Sequence, residues 1–409
     1  MKITIKRYSL PEILGLAALA IFLLFSLLDV SFYVQYISPM LYKAAIFLII
    51  MLIILKEFVS GSNSFESLLG LLGVSTLYFI IGSVTSYTSF IVLGLSLIYS
   101  LRDIPFSKVV KVAFIISVAM LFLVILSSKI GFIPDYIEFS STRVRHYLGF
   151  RYSLFPSTIM MNIIAISFFL KQETVSYQRL FILFLVSMYL YLETDSRLTF
   201  ISSSLLLLAN LAMKLIPTVI EKFSLLLKFF TLTYFVNAYL SYWISKNYLR
   251  TSNALLNHFF HQADQFLGGR IYLSNRSLSL YGYGILGQKI AWVGNALNAQ
   301  GERSTDAYLY VDNLYIQILQ HFGLIALIII LSLLTATLVK LLRKGQIVLS
   351  IIIASLSFHA LIDDLILSIH YNIFWILLGS LIYSNYQFSE ERYGEVENDS
   401  LRRTVREGY

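Results

Sequence analysis

Two groups of side chains stand out for the chemistry they can do, and the first lies between Ser245 and His321. There Arg270 follows Gly268 and Gly269, Arg276 comes six residues later, and Gly282, Gly284 and Gly287 lie beyond. A guanidinium fork grips two phosphate oxygens at once, and glycine lets backbone N–H groups approach the same anion. The plain alternative is a loop at headgroup level whose arginines are drawn to anionic lipid. Asp312 and Asn313 stand directly before LYIQILQHFG, in which apolar residues recur at helical spacing. Either is an ordinary helix cap, but a carboxylate facing a cationic pocket also serves as a general base. His258 and His261, spaced three apart with Asp264 beyond, and His321 invite a metal reading. NHFFHQADQF reads equally as an amphipathic interfacial helix, and no HExxH pattern is present, so no metal is expected.

The second group comes from elsewhere in the chain. RVRHYLGFR places Arg143, Arg145 and Arg151 just before an apolar run that begins near Pro156. One such arginine can snorkel to lipid headgroups; three together form a wall for an anion. Arg197, in LETDSRLTF, begins another apolar run. A cation there meets the positive end of the helix macrodipole and needs an anionic partner. Asp195, Glu193 or a substrate phosphate can fill that role.

The elements that must hold these residues are membrane helices. The chain is 57% hydrophobic, with a mean hydropathy of +0.75, outside the range of soluble domains. A crossing helix needs roughly 20 apolar residues, which yields about twelve candidates: 11–28, 38–55, 65–83, 88–101, 109–127, 156–171, 180–193, 198–216, 225–243, 322–340, 346–363 and 368–386. Continuous rather than alternating apolar runs imply helices, not a barrel. The organisation expected is a bundle over 1–244, a long external loop with short helices over 245–321 between spans nine and ten, three spans over 322–388, and a charged tail over 389–409. Basic residues recur at alternate turns: Lys2, Lys6 and Arg7; Lys56; Arg102, Lys108 and Lys111; Lys171 and Arg179; Lys214, Lys222 and Lys228; Lys340, Arg343 and Lys344; and Arg392, Arg402, Arg403 and Arg406. That pattern puts both termini in the cytoplasm, and the first apolar run reads as a retained span, not a cleaved signal. The net charge of +8 therefore reports orientation, and no nucleic-acid partner is expected. Cysteine is absent, which excludes disulfides and thiol chemistry. The arginines left on the outer side oppose the topology rule, and binding an anion at the outer surface is the simplest benefit that keeps them there.

At three segments, DSRLTF, GGRIYLSNRSLSLYGYGILGQ and VDNLYIQILQHFG, the chain resembles bacterial polysaccharide polymerases of the Wzy type, of the superfamily that includes the O-antigen ligases. RHYLGFR followed by Asn162 is similar to the segment before span six in Gram-positive capsule and exopolysaccharide polymerases. Asn313, the apolar helix after it and Gly323 reproduce the ligase-like pattern, except that Asp312 stands where those members carry His; this departure favours polymerase over ligase. The resemblance implies an all-α polytopic membrane protein with a GT-C-like glycosyltransferase fold, working without metal or cofactor. It implies transfer of a growing glycan from undecaprenyl pyrophosphate to the terminal sugar of a new lipid-linked repeat, with a flippase and a chain-length regulator as partners. Under it Arg197, Arg270 and Arg151 form the diphosphate clamp and Asp312 is the base, oriented by Asn313. Arg276, Arg145 and His321 are further substrate contacts. A ligase and a lipid-linked oligosaccharide flippase remain the rival readings.

Overall fold

The computed structural model describes residues 8–61, 64–140, 143–216 and 227–389. The basic residues at 2, 6, 7 and 222, and the charged tail from 390 onward, lie outside the described residues.

The structure is mostly helical, and six of its helices are long and apolar enough to cross a membrane: α1 (Leu10–Asp29), α2 (Pro39–Ser60), α3 (Phe65–Val84), α5 (Phe106–Lys129), α8 (Arg197–Leu215) and α13 (Gly323–Arg343). Between them come α4 (Phe90–Ser100), α6 (Phe155–Lys171), α7 (Tyr177–Thr194), α9 (Thr233–Asn247) and α14 (Ile347–His359). Serine sets many of the starts. Ser9, Ser38, Ser64, Ser89 and Ser176 each accept a backbone N–H of the first turn, satisfying a donor that has no partner inside the helix. Helix α6 is the centre, with every residue from Phe155 to Phe169 buried against α5, α7, α8 and α14.

The last apolar run departs from the expected pair of spans. Helix α14 stops at His359, an irregular buried segment carries Asp363, Asp364, His370 and Asn372, and the chain resumes as a 3-10 helix over Ile373–Leu381. The polar residues explain the break: Asn372 caps the 3-10 helix through the Phe374 N–H, and Asn162 of α6 accepts from the Ile373 N–H. A second departure is a small antiparallel ribbon, β1 (Ile137–Phe139) with β2 (Val144–His146), in which Glu138 lies opposite Arg145. Strands of three residues are too short to register as a period in the sequence.

The long loop contains α10 (Ala254–Phe266), α11 (Arg270–Tyr281) and α12 (Leu314–His321). Only Tyr248, Phe260 and Ile271 form a separate small cluster; Leu297, Leu314, Tyr315, Ile318 and Leu319 belong to the main core. Glycines weld the loop to α13. The Gln288 N–H donates to the His321 carbonyl and the Leu324 N–H to the Gly284 carbonyl. A Cβ on Gly287 would lie 2.1 Å from the His321 oxygen, and one on Gly323 would lie 2.3 Å from the Gly287 nitrogen, so no larger residue fits at either position.

Candidate functional site

Arg145 of β2, Arg197 at the start of α8 and Arg270 at the start of α11 line one cavity of about 280 Å3, with Arg143 and Asp195 at its wall. Each is placed by its element. Gly268 and Gly269 both take left-handed backbone angles, which reverse the chain at the end of α10 and bring Arg270 inward. The expectation that these glycines present N–H groups to an anion is not met at the start of α11. Asp264 accepts from the Ile271 and Tyr272 N–H groups, and the Gly268 and Gly269 N–H groups return to α10 carbonyls.

The carboxylates near these arginines are unevenly shared. Asp195 pairs with Arg143 at 3.3 Å and Glu193 with Lys129 at 3.1 Å, so neither is the partner anticipated for Arg197. Arg197 instead donates to the Phe266 carbonyl and lies over that residue's ring. Arg145 donates through one terminal nitrogen to the Asp195 carbonyl, while its buried Nε has no hydrogen-bond partner. A buried, unsatisfied guanidinium N–H is costly.

A second, smaller cavity of about 90 Å3 adjoins the first and shares Leu154 with it. Its walls carry Asp312, Asp363, Asp364, Tyr152, Tyr308 and Tyr310. The two meet where Arg270 Nε lies 3.3 Å from Asp312 Oδ2; Arg270 is also held by the Ile362 and Leu267 carbonyls. The capping role that either residue before α12 was free to take falls to Asn313. Its Oδ1 accepts from the Tyr315 and Ile316 N–H groups, and its Nδ2 donates to Ser241 and to the Leu361 carbonyl. Asp312 is thereby left facing Arg270. Burial raises its pKa above the usual carboxylate range, Arg270 and Arg145 oppose the rise, and Asp363 adds to it.

The remaining sequence candidates stand outside these cavities. Arg151 ties α1 to the loop: Nε and one terminal nitrogen bond the Asp29 carbonyl and carboxylate, and the other terminal nitrogen donates to the Leu297 carbonyl. Arg276 is exposed on α11. His321 packs edge-on against Trp292 at 4.6 Å, and its pKa is lowered by burial. His261 meets the Tyr248 hydroxyl and His258 meets Gln262; among the described residues no group of three or more His, Asp or Glu is arranged to hold a metal.

Sequence reasoning passed over Asp363, Asp364, Tyr310 and Gln317. The Tyr310 hydroxyl and the Gln317 amide both donate to Asp364 Oδ2, at 2.7 and 2.6 Å. Asp363 accepts from Thr158, and His359 links it at 3.1 Å to Ser202, 2.9 Å away on the other ring nitrogen. A signal was present: adjacent aspartates in an otherwise apolar run are expensive in a membrane and mark function by default. Comparison with family models, with curated proteins and with solved structures finds no match for this chain.

Proposed function

We propose that this chain is a metal-independent glycosyltransferase of the polysaccharide-polymerase kind, in a bacterial cytoplasmic membrane, with both termini inside and its site on the outer face. Its substrates are two undecaprenyl-pyrophosphate-linked glycans, a growing donor and a single-repeat acceptor; a flippase supplies them and a chain-length regulator acts on the product. The reading is supported above all by one observation: Arg145, Arg197 and Arg270 share a cavity that touches a carboxylate pocket at the Arg270–Asp312 pair. In the reaction an acceptor hydroxyl attacks the anomeric carbon, the bond to pyrophosphate breaks, and the electron pair leaves with the pyrophosphate. Fixed guanidinium groups stabilise that developing charge, and a carboxylate takes the hydroxyl proton. In this reading the six long helices are joined by six shorter segments, α4, α6, α7, α9, α14 and Ile373–Leu381, in a twelve-span, GT-C-like bundle. Asp312 and Arg270 act at the junction and Arg197 and Arg145 bind the diphosphate, while Arg151 contributes by fixing α1 to the loop.

The test is elongation of lipid-linked repeats by purified protein in detergent. A ladder of chain lengths is expected from the wild type. Arg270→Ala should cut the rate by about 100-fold or more and leave single repeats. Elongation without a membrane to cross excludes a flippase, transfer to an acceptor that is not a lipid-linked repeat would point to a ligase, and no transfer at all would refute the reading.

A further inference from the structure

The small cavity sets three carboxylates side by side, and they are not equally provided for. Asp312, 12% exposed, lies against the Arg270 guanidinium. Asp363, 3% exposed, lies against the His359 imidazole and also accepts from the Thr158 hydroxyl and the Leu365 N–H. Asp364, 7% exposed, receives only neutral donors, the Tyr310 hydroxyl and the Gln317 amide. Neighbouring buried carboxylates cannot all ionise freely, and Asp364 is the one whose contacts include neither a guanidinium nor an imidazole. The identity of the proton acceptor follows from this asymmetry. Building on the polymerase reading, we propose that Asp364 is the general base that removes the proton from the acceptor hydroxyl, while Asp312 positions Arg270.

The cavity fits the task. At about 90 Å3 it has room for about three waters, too little for a sugar ring but enough for its hydroxyl-bearing edge, with Tyr152, Tyr308 and Tyr310 around it. In the step the acceptor O–H bond breaks and its proton passes to Asp364. The oxygen bonds the anomeric carbon, and pyrophosphate departs into the arginine cavity. Asp364 then releases the proton to water. Burial pushes Asp364 up to about 7, Asp312 and Asp363 add to the rise, and the Tyr310 and Gln317 hydrogen bonds oppose it; Tyr308 and Tyr371 also face it. A base is most effective when its pKa lies near the working pH. Asp312 is engaged by the Arg270 guanidinium, 3.3 Å away, and is the less available to accept a proton.

Two readouts on the purified full-length protein test this: the initial rate of elongation against pH, and binding of a polyprenyl pyrophosphate. Wild-type rate should fall about tenfold per unit as pH drops below about 7, because a protonated base cannot accept. Asp364→Asn should lower kcat by about 100-fold while binding stays within about twofold of wild type. Tyr310→Phe removes a hydrogen bond to the ionised form, so it should fold and shift the acid limb to higher pH. Asp312→Asn should retain that limb. If Asp364→Asn keeps its rate and Asp312→Asn abolishes both rate and limb, the base is Asp312 and the polymerase reading stands. If wild type neither binds the pyrophosphate nor elongates, the polymerase reading falls, and this proposal with it.

Discussion

Two charge clusters sit at opposite ends of the bundle and are built differently. One lies beside the start of α1, where Lys56 packs near Gly15. There Lys56 pairs with Glu57 and Asp103, Arg102 pairs with Glu57 and donates to Ser67 and the Tyr99 carbonyl, and Ser60 donates to Asp103. Among the described residues two cations meet two carboxylates, with hydroxyls and a carbonyl around them. The other cluster lies near the far end of α1, about 30 Å along a helix of this length. There the signs are largely segregated, with arginines lining one cavity beside the Arg143–Asp195 pair, aspartates lining the next, and the Arg270–Asp312 pair at the boundary. Among the described residues the first arrangement balances its charges within itself. The second keeps opposite charges apart at a cost in stability, and leaves the Arg145 Nε without a partner. Such a conflict with folding is expected where a site must receive something absent from the chain.

The contrast can be broken at its structural end first. Lys56→Met should remove the fully buried cation from its pair with Asp103 and destabilise the protein by about 3–5 kcal/mol. Thermal unfolding in detergent should show a lower apparent melting temperature, while the elongation rate per folded molecule stays unchanged. A Lys56→Met protein that is as stable as wild type but slow would place that cluster in the reaction. Next in size, Arg270→Lys should keep the charge and the fold but lose the planar fork. A loss of about 100-fold in kcat at unchanged melting temperature is expected, and full activity would mean that a point charge suffices at the boundary.

How much of this was legible in the sequence depends on what each residue's role requires. Arg197, Arg270 and Asp312 stand out because a charge beside glycine or at the start of an apolar run conflicts with its surroundings, and the structure brings all three to adjoining cavities. Arg151 shows the same conflict, yet Asp29, distant in sequence, supplies its answer; a carboxylate near the end of one helix carries no sign of its partner. Asn313 and Asp312 are equally good caps on paper, and only the backbone decides between them. Asp363 falls on the last residue of an expected span and Asp364 in the connection after it, so neither drew notice, although α14 stops at His359 and the irregular buried segment beyond it carries both. The helical character follows from composition alone; the 3-10 stretch and the three-residue strands leave no period to detect.

The smallest effect separates spacing from geometry. In the sequence Arg276, six residues after Arg270, reads as a further substrate contact beside the clamp. Both fall on α11, and six residues at about 100° each leave them about 120° apart around the axis. Arg270 therefore turns toward Asp312 while Arg276 lies exposed, with Ser274 and Ser277 buried on either side of it in sequence. Arg276→Ala should change elongation by no more than about twofold, as surface substitutions away from a site do. A tenfold loss would mean that α11 rotates to present Arg276 when the glycan binds, and the arginine cavity would then be larger in the working state than in the resting one.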